Sequence, residues 1–318
     1  MLAIYRGLTI VLGPAIRIYL GHRRARGKED PVRKAEREGI AALPRPDGKL
    51  IWLHAASVGE AISALCLIDR LIHDYPEVSV LVTTGTVTSA EIMAKRLPDR
   101  AFHQYVPVDR PSWIARFLDH WRPDAALWME SEFWPNLLRA VSSRDIPLIL
   151  VNARISPSSF KGWRRAPRTI ARLLGCFSLC LAQSDSDAAR LRDLGAHAVG
   201  VPGNLKFAAA PLPVEQGDLA VLMEAIGSRP VWLAASTHDG EDLPAIAAHR
   251  VLTGQYPDLL TIVVPRHPAR GPAIEELAAA QGLRVVRRSG QKATDQKIRP
   301  DTEIYIADTV GELGLFYR

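Results

Sequence analysis

Short apolar runs alternate with stretches of helical periodicity from residue 50 onward. Continuous apolar or β-branched runs predict buried strands at 50–56, 78–84, 124–130, 147–153 and 177–184. Between these runs, apolar residues recur at helical spacing, which predicts helices at 59–75, 88–97, 111–121, after Pro135 and at 184–195. Apolar strands that alternate with helices indicate a parallel sheet covered by helices on both faces.

A second set of strands and helices follows a change of composition near residue 207. The Pro- and Ala-rich stretch 207–218 is predicted to be a linker. Beyond it, strands are expected at 230–236, 259–265 and 303–308, with helices near 241–255 and 272–281. The fold class predicted is therefore α/β, with two doubly wound, Rossmann-like domains facing a cleft, at 29–206 and 219–318. Since such a domain usually carries five or six strands, the second one is expected to be incomplete.

The first 28 residues have a pattern of their own. Residues 8–16 are apolar, and the basic residues Arg23, Arg24, Arg26 and Lys28 follow without an intervening acid. Because a spanning helix needs about 20 mostly apolar residues, Pro14 and Arg17 make this segment marginal for crossing a bilayer. Segment 1–28 is predicted to be a membrane anchor or interfacial helix with its basic flank on anionic headgroups. The alternative is an amphipathic helix that packs on the first domain.

Composition narrows the class of partner. The 318 residues are 47% apolar and 23% charged, as in an average globular protein, and carry a net charge of +6. A net positive charge favours acidic partners such as nucleotides, phosphates or anionic lipids. Nucleic acid is not expected, because the basic residues cluster at the N-terminus rather than along one face with interleaved aromatic residues. The three cysteines have neither the even count of a disulfide framework nor partners at metal-binding spacing.

Segments that are polar or contain glycine follow most of the predicted strands. They are HAASVGE (54–60), MESEFWPN (129–136), VNARIS (151–156), GNLKF (203–207), ASTHDGE (235–241), VPRHP (264–268) and ADTVGE (307–312). In open α/β sheets, ligands bind outside the carboxyl ends of the strands. The repeated placement of such segments therefore predicts a ligand cleft.

The first of these segments carries a candidate general base. Ser57, Val58 and Gly59 predict a tight turn into a helix, whose free N–H groups can hold an anion. Glu60 lies in the first helical turn, where the helix dipole stabilises a carboxylate. Two interpretations remain open at this point, a favourable first-turn acid or a general base at the mouth of the cleft.

Two more carboxylates follow the 124–130 strand. In an extended segment Glu130 and Glu132 would point to the same side, and their repulsion predicts a polar or cationic partner. Trp134 either packs in the core or stacks on a ligand. Further candidates at neighbouring strand ends are Asn152, Arg154 and Lys206, although a lone lysine is more often an exposed surface group.

Arg266 and His267 end a predicted strand in the second domain, and a guanidinium beside an imidazole suits a phosphate. The alternative is a turn with exposed polar tips. There is no glycine-rich dinucleotide fingerprint, no Walker sequence and no Asp-x-Asp pair at a strand end. We therefore expect neither a bound cofactor nor a metal.

Taken in order, these segments resemble the 3-deoxy-D-manno-octulosonic acid (Kdo) transferase family of lipopolysaccharide core biosynthesis. The likeness covers nearly the whole chain, and it also includes LVTTGTVTSAE (81–91) and DTVGELGLFY (308–317). The resemblance implies a GT-B fold and an inverting glycosyltransferase that moves Kdo from CMP-Kdo to a lipid A precursor, lipid IVA. It also implies a location at the cytoplasmic face of the inner membrane.

The resemblance also implies roles for individual residues. Glu60 matches the general base of the family, and Glu130 and Lys206 match positions that assist the transition state. The residues assigned to CMP are Arg266, His267, Ser236, Gly311, Glu312 and Leu313. The residues assigned to the acceptor are Ser57, Gly59, Glu132, Asn152 and Arg154.

In one respect the chain departs from the family pattern. After the GEL…LFY helix, the family continues with a strand and a glycine-rich GGHNPLE-like loop, which this sequence does not contain. The expectation is therefore a C-terminally truncated member. Two alternatives stay open: another two-domain sugar-nucleotide enzyme such as a UDP-sugar epimerase, and an inactive module that binds the lipid acceptor.

Overall fold

The chain divides into two compact units, Met1–Ala209 and Ala210–Arg318. The computed structural model describes residues 1–208, 212, 214–290 and 298–318. The division falls within the stretch predicted as a linker, but the prediction of a linker over all of 207–218 is wrong. A 3-10 turn spans Leu205–Ala208, and a helix already begins at Gln216. That helix forms because its apolar residues Leu219, Leu222 and Ile226 share one face, which packs on the core of the second unit.

The first unit is built on a seven-stranded parallel sheet with the strand order β3-β2-β1-β4-β5-β6-β7. The strands are β1 (Lys49–His54), β2 (Val78–Thr84), β3 (Ala101–Tyr105), β4 (Ala125–Met129), β5 (Leu148–Ala153), β6 (Leu179–Ala182) and β7 (Val199–Gly200). Because the strands are parallel, their carboxyl ends share one edge. The polar segments that follow β1, β4 and β5 therefore lie at that edge.

Nine α-helices belong to the described part of this unit. They are α1 (Leu2–Val11), α2 (Gly13–Ala25), α3 (Val58–Asp74), α4 (Val87–Arg96), α5 (Pro111–Trp121), α6 (Pro135–Ser142), α7 (Pro157–Trp163), α8 (Pro167–Leu174) and α9 (Asp185–Asp193). Hydroxyl side chains cap α3, α4, α7 and α9, and proline stands in the first turn of several others. A 3-10 turn, Lys34–Glu38, precedes β1.

Both faces of the sheet are buried, as the continuous apolar strands predict. On one face, Trp52 and Trp128 meet edge-on with ring centroids 5.5 Å apart, and Phe117 of α5 packs against Trp52. On the other face, Leu53 lies in a second apolar cluster beneath α3 and α4. This core fixes the strand ends that carry the polar segments.

The second unit contains a four-stranded parallel sheet in the order β10-β11-β9-β8. Its strands are β8 (Val231–Thr237), β9 (Leu260–Pro265), β10 (Val285–Arg287) and β11 (Ile304–Ile306). Its α-helices are α10 (Gln216–Ile226), α11 (Asp242–Thr253), α12 (Gly271–Ala279) and α13 (Leu313–Phe316), with a 3-10 turn at Pro268–Arg270. Apolar clusters cover both sheet faces within the described residues.

The N-terminal segment forms two helices rather than the one predicted. Within the described residues, no single helix has the length and apolar content to cross a membrane; α1 and α2 meet that criterion only as a pair, and they are bent by 69°. Helix α1 is fixed to the first unit, since Leu2 is buried, Tyr5 hydrogen-bonds Asp109, and the Asn136 side chain donates to Thr9. One face of α1 therefore packs on the first unit, as expected for the alternative of a helix that packs on the first domain.

The other face of α1 is apolar and exposed. Met1, Ile4, Leu8 and Val11, spaced by three or four residues, are 75%, 68%, 52% and 75% exposed. The side of α1 that faces the protein buries Leu2 and makes polar contacts through Tyr5 and Thr9, so the large apolar side left in solvent is unusual for a surface helix. The basic residues noted in the sequence follow in and directly after α2.

Several elements were not predicted from the sequence. Strand β3 was missed because its sequence, AFHQY, carries polar residues in buried positions. The structure gives each of them one hydrogen-bond partner, since the Trp121 indole donates to the Gln104 side chain and His103 hydrogen-bonds the Thr84 hydroxyl. The two-residue β7 and the short α7 and α8 were also missed, because so few residues give a weak periodic signal.

Candidate functional site

Glu60 lies where the sequence predicts, in the first turn of α3 at the end of β1. Its side chain is buried and closes back on the turn: the Ala56 N–H donates to Oε2 at 2.9 Å and the Ser57 hydroxyl donates to Oε1 at 2.9 Å. The Glu60 N–H in turn donates to Ser57 Oγ. Ser57 thus caps α3, and the Glu60 carboxylate occupies the Ala56 N–H and the Ser57 hydroxyl at the same turn.

The electrostatic surroundings of Glu60 suit proton transfer. Burial is the main cause that raises the pKa of its carboxyl, and the nearby carboxylates of Glu130 and Glu132 act in the same direction. The hydrogen bonds from Ala56 and Ser57 oppose this shift without cancelling it. A carboxylate with a raised pKa is a stronger base than a solvated one, which is what removal of a hydroxyl proton requires.

Glu130 and Lys206 form an ion pair near this carboxylate. Lys206 Nζ lies 3.4 Å from Glu130 Oε1, and both residues belong to the first unit. Glu130 has a φ of +54°, in the left-handed region of the backbone that residues other than glycine seldom adopt. The expectation of an extended 130–132 segment is therefore wrong, because the chain turns at Glu130. The predicted cationic partner of that carboxylate is Lys206.

Glu132 is oriented by two tryptophans. The Trp134 indole N–H donates to Glu132 Oε2 at 2.9 Å, and the Trp128 indole N–H donates to the backbone carbonyl of Glu132. Trp134 is half-buried against the core of the first unit. The side chain of Trp134 thus packs and holds Glu132 at the same time.

A mostly apolar groove adjoins these residues. It has a volume of about 500 Å³ and is lined by Met1, Leu2, Tyr5, Glu132, Phe133, Trp134, Pro135, Trp163, Thr169 and Leu173. Helix α1 forms one wall, and the turn that carries Glu132 forms another. The groove therefore connects the N-terminal helix with the carboxylate edge of the sheet.

The other candidates for the acceptor differ in accessibility. Ser57, Gly59 and Arg154 are exposed at the strand ends, as the assignment requires. Asn152 is only 2% exposed, and its side-chain oxygen accepts from the Leu205 N–H at 2.9 Å. The side chain of Asn152 is thus directed into the protein and has no room for direct contact with an acceptor.

In the second unit, Arg266 and His267 are exposed after β9, and neither side chain has a hydrogen-bond partner among the described residues. Ser236, at the end of β8, has a φ of +58°. The register between β8 and β9 shifts at this point, between Ala235 and Thr237. Strained backbone of this kind is concentrated at binding sites in proteins.

Arg270 is a cation of this strand edge that the sequence analysis missed. Its guanidinium donates to the Thr237 carbonyl at 3.0 Å and pairs with Asp242 at the start of α11. It therefore fixes the loop after β8, whereas Arg266 and His267 remain available to a ligand. The signal was present in the sequence, since Arg270 follows VPRHP by two residues.

The segment after β11 contains the remaining donor candidates. Gly311 has a φ of +89° in the turn before α13, and Leu313 begins that helix. Both carboxylate oxygens of Glu312 are engaged by Arg288, and the Thr309 hydroxyl also donates to this carboxylate. The Arg288 guanidinium is the main cause that lowers the pKa of Glu312. Arg288, which follows β10, is thus a further residue at this site that the sequence did not single out.

Among the described residues there is no group of three or more His, Cys, Asp or Glu side chains that could hold a metal ion. The carboxylates of Glu60, Glu130 and Glu132 have partners within the protein: Glu60 its own turn, Glu130 the lysine and Glu132 an indole. The candidate site of the first unit thus combines these three carboxylates with one lysine.

Comparison with known proteins identifies the family. The family model for 3-deoxy-D-manno-octulosonic-acid transferase (kdotransferase) matches residues 32–209, more than half of the chain. The chain belongs to the Kdo transferase family. The family is a glycosyltransferase family, and the predicted resemblance is thereby confirmed.

Individual family members match along the whole chain. The 3-deoxy-D-manno-octulosonic acid transferase of Rickettsia bellii is 36% identical over 317 residues, covering 100% of this chain and 75% of the relative. That of Haemophilus influenzae is 34% identical over 326 residues, covering 98% of this chain and 73% of the relative. The chain thus spans about three quarters of the length of these relatives.

The fold agrees with the assignment. The UDP-GlcNAc 2-epimerase of Neisseria meningitidis, solved with UDP-GlcNAc bound, has a TM-score of 0.57 and covers 85% of this chain and 74% of its own. At 13% identity this likeness shows the fold alone. The chain therefore has the predicted GT-B-like α/β fold, with a parallel sheet in each unit.

Proposed function

We propose that the chain is an inverting glycosyltransferase that moves Kdo from CMP-Kdo to a lipid A precursor, lipid IVA. Family membership supports the reaction class, and the surroundings of Glu60 support the mechanism. The single observation that carries the proposal is this buried carboxylate with a raised pKa beside the Glu130–Lys206 pair. Such a base together with a charged pair is what an acceptor hydroxyl and a developing charge require.

In the proposed reaction, Glu60 takes the proton of the acceptor hydroxyl while the oxygen of that hydroxyl attacks the anomeric carbon of Kdo. The bond from that carbon to the CMP phosphate breaks, and CMP leaves with the electron pair. Glu130 and Lys206 assist the transition state from the first unit. Arg266 and His267 bind the CMP phosphate, because their exposed side chains have no competing protein partner among the described residues.

The apolar groove supports a lipid as the acceptor. About 500 Å³ of largely apolar space beside Glu132 accommodates part of an acyl chain, while the sugar hydroxyls of a lipid A precursor would lie toward the carboxylates. Ser57, Gly59 and Arg154 are exposed at the same sheet edge and are proposed to contact the polar part of the acceptor.

We further propose that the chain acts at the cytoplasmic face of the inner membrane. The exposed apolar face of α1 would enter the interface, and Arg23, Arg24, Arg26 and Lys28 would meet anionic headgroups. Val11→Asp should abolish co-sedimentation with vesicles that contain anionic lipid, whereas Val32→Asp should not, although Val32 is even more exposed than Val11. Equal sedimentation of the two variants would contradict this placement.

The transfer reaction is tested with Glu60→Gln. Purified chain is incubated with CMP-Kdo and lipid IVA, and the product is measured by mass spectrometry. Loss of the general base should reduce turnover by about 10²-fold or more. The matched control is Asp69→Asn, an exposed carboxylate on the same helix, which should keep the wild-type rate. Near-normal turnover by Glu60→Gln would refute the assignment of the base.

The donor is tested separately by calorimetry with CMP and UMP. Binding of CMP in preference to UMP supports the proposed donor. Preference for UMP would favour a UDP-sugar enzyme, which at present has only the shared fold in its support. Binding of lipid IVA without either nucleotide would favour a module that only holds the acceptor.

A further inference from the structure

The two members of the Glu130–Lys206 pair come from segments 76 residues apart in sequence. Each segment is hydrogen-bonded to the end of the same strand, β5. The Glu130 N–H donates to the carbonyl of Val151 at 3.0 Å, and the Leu205 N–H donates to Asn152 Oδ1 at 2.9 Å. Two adjacent residues of one strand thus hold the backbones on which the carboxylate and the lysine are mounted.

The strand is irregular where it does this. Asn152 has a φ of +55°, and the register with β6 shifts between Leu150 and Ala153. The Gln183 side chain donates to the Asn152 carbonyl at 2.9 Å and holds the irregular backbone. A bulge redirects a side chain out of the regular alternation of a strand, and asparagine tolerates the left-handed conformation better than most residues.

The Asn152 side chain is suited to holding a backbone and not to binding a ligand. Its oxygen is used by the Leu205 N–H, while its Nδ2 is buried and has no hydrogen-bond partner among the described residues. If the position served only for packing, an apolar side chain would avoid the cost of that unpaired amide nitrogen. The bond to Leu205 explains the residue type, because it needs a short side chain with an acceptor oxygen.

We propose that Asn152 is a positioning residue that holds Lys206 against Glu130. It acts through the backbone of Leu205, the residue before the lysine, and does not contact the substrate. The consequence for catalysis rests on the proposed function, in which the Glu130–Lys206 pair assists the transition state. The anchoring itself does not rest on it.

The anchoring is tested by a zero-length crosslink. A carbodiimide joins a lysine amine to a carboxylate only when the two are in contact, and the Lys206–Glu130 peptide is measured by mass spectrometry. Asn152→Gly removes the acceptor but allows a positive φ, so its effect is free of backbone strain. The crosslink yield should fall about tenfold, since misplacement by about 1 Å can cost about 10²-fold in a reaction that depends on geometry.

The matched control is Ser178→Ala. Its hydroxyl donates to the carbonyl of Leu148, at the other end of β5, and its loss should leave the crosslink unchanged. Equal circular dichroism spectra and melting curves would show that each variant is folded. An undiminished crosslink in folded Asn152→Gly would overturn the proposal. If that variant does not fold, Asn152→Asp, which keeps the acceptor oxygen, should retain the crosslink, and its loss would overturn the proposal.

The catalytic consequence is tested by a double-mutant cycle. Asn152→Gly should lower kcat by about tenfold in the wild-type background, with KM for the acceptor unchanged. In a Lys206→Met background the same change should alter kcat by less than about twofold, because the lysine it positions is gone. Equal losses in both backgrounds would show that Asn152 does not act through Lys206. A wild-type chain without transfer activity would refute the proposed function and leave the crosslink to decide the anchoring.

Discussion

Replacement of His54 by asparagine should make the first unit less sensitive to acid. His54 ends β1 and is 1% exposed, with Nδ1 2.9 Å from the Thr83 hydroxyl and its ring packed against Trp128, the two ring centroids lying 4.2 Å apart. Its Nε2 is buried without a hydrogen-bond partner in the described part of the chain. Burial therefore lowers the pKa of His54 from 6.5 to about 3.

The sign and size of the effect follow from proton linkage. Between the two pKa values the unfolded chain binds a proton at His54 that the folded chain does not. The free energy of unfolding therefore rises with pH in this range. The contribution of His54 to stability is lost progressively as the pH falls below 6.5. For pKa values of 6.5 and about 3, His54 alone should cost about 2.5 kcal/mol of stability between pH 7 and pH 4.5. His103, whose pKa burial also lowers to about 3, should add a similar loss.

The assay is urea unfolding followed by tryptophan fluorescence at pH 7 and pH 4.5. Six of the seven tryptophans lie in the first unit, so the signal reports mainly on that unit. His54→Asn keeps a polar group near Thr83 and should be less stable at pH 7, because the ring contact with Trp128 is lost. Its loss of stability on acidification should be about 2.5 kcal/mol smaller than in wild type. The exposed His197→Asn serves as the control, and a His54→Asn protein with the full wild-type pH dependence would refute the reasoning.

Two further substitutions test the site and the fold. Ser57→Ala should cost about 1 kcal/mol through loss of the α3 cap. It should also raise the pKa of Glu60 further, so the rising limb of the pH–rate profile should move to higher pH, and an unmoved limb would contradict the hydrogen bond from Ser57. Gly39→Ala should cost at least about 2 kcal/mol in urea unfolding, because φ is +78° and the added Cβ would overlap the Trp113 carbonyl. Gly7→Ala, in open space on α1, should instead stabilise by about 1 kcal/mol, and equal effects of the two would argue against the contact.

The sequence was sufficient to predict the main strands and the edge at which the site lies. The continuous apolar runs of β1, β2, β4 and β5 can be buried on both faces only in a parallel sheet, and a parallel sheet places its strand ends together. The motif order was specific enough to identify the family. Local chemistry also predicted the start of α3 to within one residue, since the turn expected at Ser57–Gly59 leads into that helix, with Ser57 as its N-cap.

Elements with weak local signals could not be predicted. The polar residues of β3 become acceptable in a buried strand only because Trp121 and Thr84, from other elements, supply hydrogen-bond partners. From its sequence, helix α10 is not distinguished from a linker. It is stabilised because its one apolar face packs on the core of the second unit. In both cases the deciding partner is distant in sequence.

The sequence by itself determined the fold class, the family and most of the residues at the strand ends, because these depend on periodicity and on local motifs. Only the tertiary structure decided how those residues are used. It pairs Lys206 with Glu130 and turns Asn152 inward to hold Leu205. It also closes Glu60 onto its own turn and engages Arg288 with Glu312. Apart from the turn at Glu60, these contacts join segments tens of residues apart. A hydrogen bond or a shifted pKa depends on distance and burial in three dimensions, which periodicity along the chain does not encode.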